Sequence, residues 1–106
     1  MHPLIASKKK EIAEICRRFG VKRLEVFGSA ARGADFDPEK SDADFLVEFE
    51  PSARKPWMGE YIELQEALEA LLGRKVDVVS LTALPEMRNR FRRRSIEQDR
   101  EPLYAA

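Results

Sequence analysis

The chain has 106 residues, a length that predicts one domain spanning residues 1–106 around a modest hydrophobic core. Its 19 Lys and Arg residues balance 19 Asp and Glu residues, which argues against a general nucleic-acid-binding surface and against attraction to an anionic membrane. One cysteine excludes an internal disulfide, and no segment approaches the roughly 18 apolar residues of a membrane span. Because the N-terminus has no signal-peptide pattern, we expect a cytoplasmic protein.

The first third of the chain predicts a helix followed by a strand. Apolar residues recur at helical spacing over residues 12–19, with Ser7 as a candidate N-cap and Gly20 as a typical stop. Residues 21–27 have the composition of a short strand, which ends at Gly28. This strand therefore leads directly into a glycine-serine turn.

The second predicted strand shows the cleanest alternation in the chain, over residues 45–50, and it stops before Pro51. One face of this strand carries Phe45, Val47 and Phe49. The opposite face carries Asp42, Asp44, Leu46 and Glu48. Because the glycine-serine turn lies between the first two strands, we expect these strands to be neighbours whose loop ends form a site.

The rest of the chain predicts two more helices and a third strand. A long helix covers about residues 57–72 and stops at Gly73, a strand covers residues 75–80, and a polar helix covers about residues 85–96. The last ten residues carry little pattern. The sequence therefore predicts an α+β fold, in which helices pack on a small mixed sheet of three or four strands.

Three acidic residues on two predicted strands are the strongest chemical signal. Asp42 and Asp44, at positions i and i+2, share one face and lie roughly 6–7 Å apart along the backbone. Asp77 lies between two valines, and burying its charge without a cation would be costly, which favours a metal partner. A D-x-D pair is nevertheless common on loops, and a solvated acid on an edge strand explains Asp77 about equally well.

Gly28 and Ser29 form a candidate phosphate-binding turn, since the backbone N–H groups of such a turn can bind phosphate oxygens. A glycine-serine pair by itself is more often an ordinary turn. The order of strand, glycine-serine turn, D-x-D strand and third acidic strand is much rarer than any of its parts. Together these features provide the metal ligands and phosphate donors that nucleotidyl transfer requires.

Three segments of the sequence resemble a known family. VFGSAARG (residues 26–33) and SDADFLVEF (residues 41–49) resemble the minimal nucleotidyltransferase (MNT) family of the DNA polymerase β-like superfamily. LLGRKVDVV (residues 71–79) resembles the family segment that bears the third acid. The resemblance extends over about residues 8–104 and implies a nucleotidyltransferase-like fold.

The resemblance also implies a reaction. Asp42 and Asp44 would bind two Mg²⁺ ions, and Asp77 would join them on the ion that activates the acceptor hydroxyl. The acceptor oxygen would attack the α-phosphorus of ATP, so that AMP is transferred and pyrophosphate leaves. The residues implied to bind the β- and γ-phosphates are Gly28 and Ser29, with Arg32 as a weaker candidate.

Larger relatives in the superfamily carry an additional domain that binds the acceptor, for which a chain of 106 residues leaves no room. The family resemblance implies that the acceptor is a tyrosine hydroxyl of a HEPN-domain toxin and that this chain is the antitoxin. The alternative is an antitoxin or interaction module that neutralises its partner by binding, with weak or absent transfer. Transfer to a small molecule, as in aminoglycoside-modifying relatives, is a third hypothesis, which the missing acceptor domain argues against.

The chain contains one basic cluster, formed by Arg88, Arg90, Arg92, Arg93 and Arg94. The balanced net charge favours a solvated helix face over an RNA site. A docking surface for an acidic partner, or a charge that reaches the triphosphate, stays open. The apolar long helix is also compatible with a homo-oligomer.

Overall fold

The computed structural model describes residues 1–33, 37, 41–50 and 58–106. The helices are α1 (Pro3–Ala6), α2 (Lys9–Arg18), α3 (Ser29–Arg32), α4 (Met58–Leu72) and α5 (Arg90–Asp99), with a 3₁₀ helix at Leu81–Glu86. The strands are β1 (Val21–Phe27), β2 (Ala43–Phe49), β3 (Val76–Ser80) and β4 (Glu101–Ala105). The single domain expected over residues 1–106 stays a prediction.

The four strands form one mixed sheet in the order β3-β2-β1-β4. β1 pairs antiparallel with both β2 and β4, whereas β2 and β3 are parallel. The predicted α+β fold is therefore confirmed, and so is the pairing of the first two strands across the glycine-serine turn. Parallel pairing of β2 with β3 also brings the beginnings of these two strands together at one end of the sheet.

The two faces of the sheet have different cores. The major core lies under α2 and α4, and its fully buried residues include Ile12, Leu24, Val26, Phe45, Val47, Leu64 and Leu68. The minor core lies under the 3₁₀ helix and α5, and its buried residues are Phe27, Leu46, Leu84 and Ile96. Alternation along β1 and β2 sends successive side chains to opposite cores, as the sequence predicted.

Two helix starts differ from the predictions. Ser7 is not the N-cap of α2: it ends α1, and α2 begins at Lys9 without a side-chain cap. The helix predicted over residues 85–96 is replaced by the 3₁₀ helix and by α5, which begins at Arg90. The side-chain oxygen of Asn89 accepts a hydrogen bond from the backbone N–H of Arg92 at 3.1 Å, so this asparagine caps α5 and fixes where it starts. Trp57, predicted to begin the long helix, lies outside the described residues.

β4 is the element that the sequence pattern did not predict. It occupies an edge of the sheet and contributes one buried apolar side chain, that of Leu103. A five-residue edge strand with a single inward apolar position gives almost no periodicity to read. Among the helices in the described part of the chain, none combines the length and the apolar character that crossing a membrane requires.

Candidate active site at the acidic end of the sheet

The structure places two of the predicted acids side by side. Asp44 on β2 is the register partner of Phe27 on β1 and of Asp77 on β3. Register partners on neighbouring strands direct their side chains to the same face, here the face of the minor core. Asp44 and Asp77 are therefore adjacent at the end of that face, beside the turn that follows β1.

The acidity of Asp44 is perturbed by its surroundings. Burial, followed by the negative charges of Asp77 and Asp42, raises the pKa of Asp44 from 3.8 to about 6. The positive charges of Arg92 and Arg32 oppose this shift. The negative charges of Asp77 and Asp42 both act on Asp44, which is an electrostatic setting that a cation relieves.

The argument that Asp77 is buried is wrong. Its side chain is 52% exposed, because β3 is an edge strand and leaves one side of the residue open to solvent. An ion pair joins its Oδ2 to Nη2 of Arg92 at 3.6 Å. Asp77 is thus a solvated acid on an edge strand, as the alternative interpretation held, and it also lies next to Asp44.

Asp42 is exposed and lies just before β2. The backbone around it is tied to the start of β3: the N–H of Ala43 donates to the carbonyl of Lys75 at 3.1 Å. On the N-terminal side of Asp42, Nη1 of Arg74 donates to the carbonyl of Ser41 at 3.2 Å. These two hydrogen bonds hold the segment that carries Asp42 beside the strand that carries Asp77.

Gly28 makes the closest approach of the backbone to the acids. A Cβ atom at this position would lie 2.8 Å from Oδ2 of Asp44, and the residue adopts φ +69° and ψ −153°. The conformation requires glycine, and an added Cβ would force the Asp44 carboxylate to shift. Gly28 therefore has an observed structural role, which is to leave space for the Asp44 carboxylate.

Ser29 and Arg32 lie on α3, which follows Gly28 directly. The carbonyl of Gly28 accepts hydrogen bonds from the N–H groups of Ala31 and Arg32, both at 3.1 Å. The guanidinium of Arg32 forms an ion pair with Asp99 of α5. The predicted binding of phosphate by Gly28, Ser29 and Arg32 stays a prediction, and Arg32 would have to share its charge with Asp99.

The carboxylates suit a hard cation chemically, since Mg²⁺ prefers oxygen ligands. Within the ranges that the structure describes, however, His, Cys, Asp and Glu side chains do not form a group of three or more that is already close enough to hold a metal ion. Asp44 and Asp77 are adjacent, while Asp42 is outside the strand and Arg92 neutralises Asp77. The predicted metal set of Asp42, Asp44 and Asp77 stays a prediction.

Sequence reasoning did not foresee the contribution of α5 to this site. Arg92 was one of five arginines in the basic cluster, and only the structure singles it out as the partner of Asp77. Asp99 likewise gave no signal in the sequence. Both side chains come from a helix whose start was predicted five residues too early, so the helical faces could not be assigned.

Comparison with known proteins identifies the family. A family model described as a nucleotidyltransferase domain matches residues 9–103. The chain belongs to this nucleotidyltransferase family. The enzyme class predicted from the sequence is thereby confirmed, and the matched region agrees with the extent of the resemblance.

Individual proteins and solved structures are similar to this chain. Protein adenylyltransferase MntA of Thermococcus cleftensis is 46% identical over 81 residues, which cover 76% of this chain and 74% of that protein. The solved structure of a predicted minimal nucleotidyltransferase is 34% identical, with a TM-score of 0.69 and 97% of each chain covered. A solved complex of a tri-AMPylated Shewanella oneidensis HEPN toxin with an MNT antitoxin shares the fold, with a TM-score of 0.63, 17% identity, and 96% of this chain and 73% of that chain covered.

Proposed function

We propose that this nucleotidyltransferase transfers AMP from ATP to a hydroxyl group of a partner protein. The observation that carries the proposal is the pair of adjacent carboxylates, Asp44 and Asp77, beside the glycine turn at Gly28. The name of the Thermococcus relative, a protein adenylyltransferase, supports AMP transfer to protein. The AMPylated HEPN toxin in the Shewanella complex supports a HEPN-type toxin as the acceptor. The chain then acts as an antitoxin in the cytoplasm, and the acceptor is a tyrosine hydroxyl.

Asp42, Asp44 and Asp77 are the residues that would hold Mg²⁺. When bound, Mg²⁺ supplies positive charge that polarises the α-phosphate and lowers the pKa of the acceptor hydroxyl. Burial, together with the negative charges of Asp77 and Asp42, raises the pKa of Asp44, and a bound cation would offset both effects. Gly28 keeps the space next to Asp44 free of side-chain atoms.

The bond changes in the transfer balance without a further reactant. A bond forms between the acceptor oxygen and the α-phosphorus, and the bond from that phosphorus to the oxygen bridging to the β-phosphate breaks. Pyrophosphate leaves with the bonding electrons, and the hydroxyl proton passes to solvent. We propose that Gly28 and Ser29 bind the β- and γ-phosphates through backbone N–H groups, with Arg32 adding positive charge.

The experiment is transfer of label from α-³²P-ATP, in the presence of Mg²⁺, to the product of the gene adjacent to the one that encodes this chain, which the proposal expects to be a HEPN-type protein. The variants Asp44→Asn and Asp77→Asn should each lower the transfer rate by more than about 100-fold, because each removes charge that a two-metal site needs. Glu14→Gln, an exposed acid on α2, is the control and should transfer at the wild-type rate. Transfer that survives both Asp→Asn changes would contradict the site.

A second function, neutralisation by binding alone, has one observation in its favour. The ion pair between Arg92 and Asp77 balances part of the acidic charge without a metal ion. The two functions separate in a growth assay in which the partner toxin is expressed together with Asp44→Asn. Rescue of growth by this variant would support neutralisation by binding, whereas loss of rescue would support AMP transfer.

A further inference from the structure

Helix α5 carries an aromatic side chain that is almost wholly in water. Phe91 is 89% exposed, in contrast to the buried Ile96 on the same helix. A single exposed apolar residue needs no explanation by itself. Phe91 is different because it lies in a groove together with charged side chains of the same helix: Arg90, Arg93, Arg94 and Glu97.

The arginines of α5 fall into two groups. Arg92 pairs with Asp77, and Arg93 pairs with Glu97 at 3.1 Å and donates to the carbonyl of Pro85 at 3.1 Å. Arg90 and Arg94, in contrast, have no ion-pair partner within the described part of the chain, and both are exposed. Two of these arginines therefore have their charge balanced within the chain. Among the residues that the structure describes, Arg90 and Arg94 do not, and both lie in the groove with Phe91, as does the Arg93–Glu97 pair.

This arrangement is unfavourable for α5 alone. Its first turn contains no acidic residue, although the helix dipole favours negative charge there and disfavours cations. Arg90 and Arg94, at i and i+4, also repel each other. Phe91 and Arg94, at i and i+3, share the same helix face. An acidic surface placed on this face would relieve both electrostatic penalties and cover the ring.

The position of α5 links this face to the acidic end of the sheet. Arg92, the residue after Phe91, reaches Asp77, and Asp99 at the end of α5 reaches Arg32. A protein seated on α5 would therefore border the carboxylates. AMP transfer to a protein needs such a neighbour, because the acceptor oxygen has to reach the α-phosphorus of the bound nucleotide.

We propose that Arg90, Phe91 and Arg94 form a docking surface for an acidic segment of the acceptor protein that also presents an apolar side chain. We call these three residues the α5 docking surface. This proposal rests on the proposed function and adds to it how the acceptor protein is held beside Asp44 and Asp77. Aromatic and arginine side chains are the residues most often responsible for binding energy at protein interfaces. The balanced net charge of the chain favours a protein over a nucleic acid.

The test measures affinity for the HEPN-type protein used in the transfer assay. Phe91→Ala should raise the Kd at least about 10-fold, as expected for an interface anchor. Arg90→Glu combined with Arg94→Glu should raise the Kd further, and wild-type binding should weaken with added salt. Two controls are matched to these changes: Ile62→Ala, which is 47% exposed on α4, and Lys9→Glu with Lys10→Glu on α2. Both controls should bind as the wild type does.

Transfer and nucleotide binding are scored separately from affinity. For the docking variants we expect an increased KM for the partner, a nearly unchanged kcat and an unchanged Kd for ATP. Wild-type transfer together with wild-type affinity in Phe91→Ala and the double arginine variant would overturn the docking surface and leave the proposed function intact. Binding without transfer by the wild type, lost in these variants, would support the docking surface and overturn the proposed function. The docking surface would also be overturned if the docking variants lost affinity for a single-stranded RNA oligonucleotide while their affinity for the partner protein stayed at the wild-type value.

Discussion

The two faces of the sheet differ in what they contribute. The major core, between the sheet and helices α2 and α4, contains most of the fully buried side chains. Among the described residues, the minor core contains four buried side chains, and its helices are a short 3₁₀ turn and the arginine-rich α5. The carboxylates Asp44 and Asp77 lie on the minor-core side. The face with little buried apolar area is therefore the face that carries the candidate chemistry.

The functional requirements of the site are consistent with this difference between the two faces. A nucleotide and an acceptor protein need an open approach to the carboxylates, and a helix packed over them would close it. The open end leaves Asp44 half-buried next to two other negative charges, which destabilises its ionised form. Burial of apolar side chains in the major core stabilises the fold and offsets the unfavourable ionisation of Asp44. Changes on the two faces should consequently have different effects.

The largest effect expected in this comparison is on folding stability. Leu68→Ala removes a fully buried side chain from the major core and should lower the free energy of unfolding by about 3–4 kcal/mol. Leu84→Ala makes the same chemical change in the minor core, where the thin 3₁₀ segment can collapse around the gap, and should cost about 2 kcal/mol. Urea denaturation followed by circular dichroism measures both values.

The same leucine pair should show the opposite order in activity. Leu84 lies under the strands that position Asp44 and Asp77, so its truncation should reduce the transfer rate per folded molecule. Leu68→Ala should leave that rate close to wild type at low temperature. A larger loss of stability in Leu84→Ala than in Leu68→Ala would contradict the assignment of major and minor cores.

Much of the candidate site follows from local sequence pattern. The alternation of β2 and the position of the turn after β1 predicted both the pairing of the strands and the shared face of Asp44 and Leu46. These features depend on residues that are close in sequence and on the period of two that every strand has. Gly28 was also found from sequence, although its observed role is steric contact with Asp44.

The parts that escaped prediction depend on contacts between distant residues. The sequence left Asp77 open between a buried ligand and a solvated acid on an edge strand, because its valine neighbours gave no information about which strand lies at the edge. β4 contributes one fully buried apolar side chain, that of Leu103, and the partly buried Tyr104 follows it directly, so its pairing with β1 left no periodic pattern in the sequence. The contact of Arg92 with Asp77 depends on where α5 begins, which the Asn89 cap decides.

A smaller loss of stability is expected at Gly28, where the backbone approaches the carboxylate of Asp44. Gly28→Ala places a methyl group 2.8 Å from Oδ2 of Asp44 in a conformation with φ +69°, and should lower the free energy of unfolding by about 2 kcal/mol. Gly73→Ala has a similar φ of +65° but nothing within 4 Å of the added Cβ, so it is the control for a positive φ without the contact and should cost about 1 kcal/mol. Thermal unfolding measures the two penalties.

The same two glycine variants should also differ in AMP transfer. Displacement of the Asp44 carboxylate in Gly28→Ala should reduce AMP transfer strongly, whereas Gly73→Ala should transfer at the wild-type rate. If both variants lost the same stability and both kept full transfer, the close approach of Gly28 to Asp44 would have no functional consequence.

The smallest expected effect is a gain in stability from removing a site charge. Because the pKa of Asp44 is about 6 in the folded chain and ordinarily 3.8, ionisation of this group opposes folding above pH 6. A shift of this size corresponds to at most about 3 kcal/mol, and partial solvent contact reduces the expectation to about 1 kcal/mol. Asp44→Asn should therefore stabilise the metal-free protein by about 1 kcal/mol at pH 8.

The pH dependence of that gain identifies its origin. As pH falls through about 6 toward 3.8, Asp44 binds a proton in the folded chain, and the advantage of Asp44→Asn should disappear. In an Asp77→Asn background the gain at pH 8 should be smaller, since the charge of Asp77 is the second cause of the raised pKa. Thermal unfolding of the four proteins at pH 8 and pH 4 measures both effects. A gain that stayed constant with pH would show that the amide stabilises by packing or hydrogen bonding, and the acidic end would then carry no electrostatic penalty to distinguish it from the major core.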